Sequence, residues 1–247
     1  MTDSLEQQDS DSRNKNPIGF ILPFVVFMAV ASRYPSIDAN TFPDDIAVNS
    51  YFYFVIAQVI LAIGLTTYFF RQYLNEFPFQ FDIWGVITGV VGIVLWIGIC
   101  GLGIEQNVMQ SVGLGEWMPD RVGFNPFDKI SDPIRQNVFL FFRFALLAAM
   151  VPLIEELFLR GWFVRWWEDT DWQNVKLSSI GSGGIIAVAV YGLATHPGEA
   201  IAAVVWFTLV SYLMIKTGKF WNCVVAHAVT NLLLGIYVVY FEQWHLW

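Results

Sequence analysis

Apolar residues run through this chain in blocks rather than alternating with polar ones. Seven blocks stand out: 17–32, 50–70, 82–104, 137–163, 180–196, 200–215 and 221–241. Most approach the roughly 20 residues that a helix needs to cross a bilayer. They predict an all-α, polytopic membrane bundle of about seven transmembrane helices (six to eight). The first block is short and carries Pro23. The 33–49 stretch, with Pro35, Pro43, Asp44 and Asp45, reads as a loop, and so does 105–136, rich in Gly, Pro and charge and with room for an interfacial helix. Residues 1–16 are polar and predict a disordered tail without the pattern of a cleavable signal peptide. Residues 17–247 then form one transmembrane domain. No internal repeat or low-complexity segment is visible.

Composition agrees with the blocks. The chain is 56% hydrophobic and 14% charged, where soluble domains carry about 25% charged residues. The 22 Phe, 11 Trp and 9 Tyr suit lipid-facing helices with Trp and Tyr at the interfaces. Net charge is −8, and no basic stripe is present, which argues against a nucleic-acid partner. If all seven blocks cross, Arg13, Lys15, Arg71, Arg165, Lys176, Lys216 and Lys219 fall on one side. Arg33, Arg121, Lys129 and Arg135 fall on the other. That bias predicts a cytoplasmic N-terminus. Cys100 and Cys223 lie in apolar runs without metal or redox spacing and read as small buried residues.

Against this background a few polar side chains are costly. Glu155 and Glu156 sit in the 137–163 block, and a carboxylate at bilayer depth costs about 2.5–3.5 kcal/mol. Arg160 is at i+4 from Glu156, on the same helix face, so the two can pair. Glu155 points about 100° away and is left to face a cavity. Pro152 weakens the helix just before them. His227 and Asn231 share a face at i, i+4 in the last block and can serve an oxyanion, a metal or a neighbouring helix. His196 closes the fifth block ahead of Pro197-Gly198. His245, between Trp244 and Trp247, reads as an interfacial bystander. The six residues Glu155, Glu156, Arg160, His196, His227 and Asn231 can satisfy one another, activate a water and stabilise the anion that results.

In a straight seven-span path His196 and His227 lie at different depths. A fifth helix that starts late, after the Gly181–Gly184 stretch, and breaks at His196-Pro197-Gly198 near the midplane would bring them together.

The ordered set Glu155-Glu156-x-x-x-Arg160, His196, His227-x-x-x-Asn231 resembles the CPBP (Abi) intramembrane proteases, which include CAAX prenyl endopeptidases. The resemblance covers residues 137–240, the expected catalytic core. The run Ala-His-Ala-Val-Thr-Asn-Leu-Leu-Leu-Gly and the Trp/His-rich end are also similar to the exosortase-associated CAAX-protease-like subgroup. One departure stands out: the family carries Phe four residues before the middle histidine, and this chain has Gly192. The resemblance implies an endopeptidase in a bacterial cell membrane, acting on a membrane-associated protein, with lipidated proteins among the candidates. It implies that Glu155 and His196 activate water. Glu156 and Arg160 would then hold the helix geometry, and His227 with Asn231 would donate to the oxyanion. A divalent metal such as zinc would need Glu155, His196 and His227 to converge. A metal-free, glutamate-activated water fits the same residues. A proton-coupled transporter and a non-catalytic membrane scaffold remain the alternative readings.

Overall fold

The computed structural model describes residues 16–38, 40–113 and 123–246. The polar tail up to Lys15, with its Arg13, and the loop cation Arg121 lie outside the described residues. Among the described residues there are helices and no strand. Seven apolar helices occupy the seven blocks. They are α1 (Ile18–Ala31), α2 (Ile46–Tyr68), α3 (Ile83–Gly101), α4 (Pro133–Glu168), α5 (Ser182–Thr195), α6 (Ala200–Thr217) and α7 (Phe220–Phe241).

Five of them, α2, α3, α4, α6 and α7, are long and apolar enough to cross a membrane. The chain is therefore an integral multi-pass membrane protein. Helices α1 and α5 have 14 residues each, about 21 Å at the helical rise, short of a hydrocarbon core of about 30 Å. Helix α5 begins at Ser182, inside the glycine stretch, and ends at Thr195, and α6 starts only five residues later. The loop between α3 and α4 contains short helices at Ile104–Ser111 and Pro126–Lys129.

Local chemistry sets these ends. Asp45, Asp82 and Asp132 each accept the backbone N–H two residues on, capping α2, α3 and α4. Pro133 occupies the first turn of α4, where its missing N–H costs nothing. Helix α6 stops at Gly218, whose φ of 64° is the left-handed conformation that glycine adopts freely.

The helices pack closely because small residues face neighbouring backbones. Gly85, Gly89 and Gly92 turn one side of α3 to α7 and α6; a Cβ on Gly89 would stand 2.7 Å from the Ala226 carbonyl oxygen. Thr230 of α7 donates to the Gly89 carbonyl at 2.9 Å, and Trp206 of α6 donates to Thr230 at 3.1 Å.

Both ends of the bundle are tied by charged groups. At one end Lys219 pairs with Asp82 at 2.9 Å. Buried Arg165 pairs with Glu76 at 2.6 Å and donates to the carbonyls of Gly161, Gln173 and Val175. At the other end Arg135 faces Asp44 at 3.6 Å, and Lys129 donates to the Thr41 carbonyl.

Candidate active site

The helix that carries the two glutamates changes its hydrogen-bond register twice. Leu146–Met150 and Leu157–Phe163 are π-helical, and Val151–Glu156 between them is α-helical. Such wide turns recur at functional sites. The first has a visible cause and a visible use. In the π register Val151 donates to Leu146, so the next donor in line for the Leu147 carbonyl is residue 152. That residue is proline and has no N–H. The orphaned Leu147 carbonyl is taken instead by Asn231 of α7, whose amide donates to it at 3.0 Å.

The two carboxylates then part. Glu156 is fully buried. One of its oxygens accepts from Arg160 at 2.5 Å, and the other lies 3.0 Å from Nδ1 of His227. Arg160, also fully buried, reaches on to the Phe207 carbonyl at 3.1 Å and the Ser211 hydroxyl at 3.5 Å on α6. Glu156 thus joins α4 to α7 and Arg160 joins α4 to α6. Because a carboxylate only accepts, the Nδ1 atom of His227 carries the proton toward Glu156, and its Nε2 faces the other way. There it stands 4.0 Å from Oε2 of Glu155, beyond hydrogen-bond reach but within the span of one bridging water.

Glu155 turns into a cavity of about 240 Å³. Its Oε2 is buried without a hydrogen-bond partner among the described residues. The Tyr191 hydroxyl interacts with this carboxylate electrostatically but makes no hydrogen bond of normal geometry. His196, His227 and Asn231 line the same cavity. The difference in depth between the histidines is removed by the short α5, which leaves His196 at its broken C-terminal end. Its ring lies 5.7 Å from Phe207, which lies 6.3 Å from His227. Thr195 donates to the Tyr191 carbonyl and therefore accepts from Nδ1 of His196 at 2.8 Å. That fixes the tautomer and leaves Nε2 of His196 as a base.

Four of the six residues selected from sequence thus share one cavity, and the other two, Glu156 and Arg160, stand behind it as supports. Sequence reasoning missed the Glu156–His227 hydrogen bond, because the partners are 71 residues apart. It also missed Trp96 and Trp206, which wall the cavity and resemble ordinary interfacial tryptophans in sequence. It set His245 aside, yet His245 lines the cavity. Gly192 packs on α6, where a Cβ would touch Ala203 and Phe207 at 3.4 Å. The aromatic rings beside His196 are supplied by Trp96 of α3 and Phe207 of α6.

Among the described residues no group of three His, Cys, Asp or Glu side chains is placed to hold a metal ion. Nδ1 of His227 is held by Glu156, which leaves Nε2 as the ring atom open to a ligand.

Residues 137–233 match the family described as Rce1-like, type II CAAX prenyl endopeptidase. Comparison with curated proteins and with solved structures returned no match.

Proposed function

We propose that this chain, whose residues 137–233 match the Rce1-like family, cleaves a peptide bond of a membrane-associated, prenylated protein by carboxylate-activated water. One observation carries this reading: Oε2 of the buried carboxylate Glu155 has no hydrogen-bond partner among the described residues and faces a cavity, beside a histidine held by a second carboxylate. A polar contact that served only to join helices would have its groups satisfied.

In the proposed reaction the scissile carbonyl enters beside Glu155. A water between Glu155, His196 and His227 gives up its proton as its oxygen attacks the carbonyl carbon. Glu155 and Nε2 of His196 are the available bases. The oxyanion that forms meets the second N–H of the Asn231 amide, while Nε2 of His227, held in place by Glu156 through Nδ1, accepts from the attacking water. The retained proton then passes to the leaving amine as the C–N bond breaks. Arg160 pairs with Glu156 and keeps it aimed. The reading assigns the protein to a bacterial cell membrane.

The test uses the full chain in proteoliposomes and an internally quenched, farnesylated peptide ending in a CAAX sequence. Wild type is expected to cleave it. Glu155→Gln, which keeps the shape of the side chain, is expected to lower kcat by about 10³-fold or more. Cleavage at wild-type rate by Glu155→Gln would sink the mechanism. Absence of cleavage by a folded wild-type protein would sink the proposed substrate class.

A further inference from the structure

After α7 the chain reverses instead of leaving the bundle. Glu242 adopts φ of 56°, an uncommon conformation for a residue with a Cβ. Gln243 donates back to the Val238 carbonyl at 3.0 Å, and Leu246 donates to Gln243 at 3.0 Å. Trp244 and Leu246 pack on the Ile93, Leu234 and Val238 cluster. From outside, the turn is backed by the other end of the α3–α4 loop. Trp244 lies 5.9 Å from Phe127. Gly123 approaches so closely that a Cβ there would stand 2.5 Å from the Trp244 carbonyl carbon. The turn is therefore held on both sides.

This placement brings His245 and Leu246 onto the lining of the cavity that contains Glu155, His196 and His227. The His245 side chain is exposed, so it stands at the mouth, whereas His227 is buried at the floor. Among the described residues no hydrogen bond engages the His245 ring. Glu199, the other titratable group of the lining besides the site residues, accepts when ionised and cannot donate. A neutral imidazole always carries one N–H.

We propose that His245 is a substrate-binding residue: its ring donates a hydrogen bond to the substrate backbone at the mouth, flanking the scissile bond, and the 242–246 turn is the rim that holds it there. The proposal rests on the endopeptidase reading. It adds a recognition contact from outside the segment that the family match covers, and it takes no part in moving protons.

Two measurements test it. The first uses the farnesylated, internally quenched peptide with the full chain in proteoliposomes. His245→Ala is expected to raise KM about fivefold, the worth of one net hydrogen bond, with kcat within about twofold. His245→Gln, which retains an N–H donor, recovers most of the loss. Gly123→Val, whose side chain would press on the Trp244–His245 backbone and displace the turn, reproduces the KM rise. An unchanged KM in His245→Ala, or an equal fall in kcat, overturns the proposal.

The second measurement needs no turnover. Leu234→Cys places a thiol on the lining, in a background with Cys100→Ala and the fully buried Cys223 left in place. A water-soluble methanethiosulfonate is expected to label it at least threefold faster when Gly123→Val is added. An unchanged rate means that the turn does not border the mouth, and the proposal fails. Labelling as expected in the Leu234→Cys background together with a wild type that cleaves no peptide would count against the endopeptidase reading instead, and with it the binding role.

Discussion

Pro152 shows how one residue type can be required by the bond it cannot make. It leaves the Leu147 carbonyl open, and Asn231 fills the vacancy. Pro152→Ala would return an N–H that competes with the Asn231 amide. We expect a more regular α4 and a less well-positioned Asn231, with kcat lower by about fivefold for about 1 kcal/mol of lost orientation. Thermal stability in detergent should be unchanged or higher. A lower melting temperature together with unchanged kcat would contradict this account. Much of the site at this scale is legible in sequence. Glu156 with Arg160 and His227 with Asn231 are pairs at i, i+4, and helical periodicity alone puts each pair on one face. The Glu156–His227 contact and the mouth position of His245 are not legible. They depend on which helices become neighbours, and apolar blocks carry little information about that choice.

At the scale of elements, the position of His227 depends on how near α7 lies to α3. Gly89 permits that approach, and its carbonyl receives Thr230, one turn beyond His227 on α7. Gly89→Val would press against the Ala226 carbonyl and Val229, forcing the helices apart. The expected cost is about 1–3 kcal/mol of stability, with a fall in kcat as His227 retreats from Glu155. Unfolding in a denaturing detergent together with the peptide assay would check both. Retention of wild-type stability would show that the interface gives way easily. The hydrophobic blocks located all seven helices, since length and apolarity are local properties. The first block already read as short, and the glycine stretch with His196-Pro197-Gly198 already pointed to a shortened α5. The blocks did not reveal the π-helical turns of α4, because side-chain patterning is indifferent to whether an N–H bonds four or five residues back.

For the whole molecule, the anchoring at the lysine-rich end has a defined pH response. Asp82 caps α3, receives Lys219 and Asn222 from the start of α7, and through its own N–H donates to Asn222 at 2.9 Å. The hydrogen bond from Lys219 is the main reason that its carboxyl sits below the ordinary range. A lowered folded-state pKa means that the stabilisation is complete above the ordinary carboxylate value of about 4 and is lost as pH falls through the lowered one. Melting temperature in detergent should therefore decline on acidification below about pH 4. Asp82→Asn should show less of that decline and a lower plateau at neutral pH. Parallel curves for the two proteins would mean that the anchor contributes nothing.

The grip of Arg160 on the Phe207 carbonyl has a mechanical consequence. The helix that presents Glu155 is keyed to α6 through Arg160 and to α7 through Glu156. Rotating it about its own axis would keep the Glu156–Arg160 pair, which lies within the helix, but would break the bonds to Phe207 and His227 and leave buried polar groups unsatisfied, at about 1–3 kcal/mol each. In the proposed reaction, a chain entering the cavity meets a carboxylate whose bearing is set by two neighbouring helices.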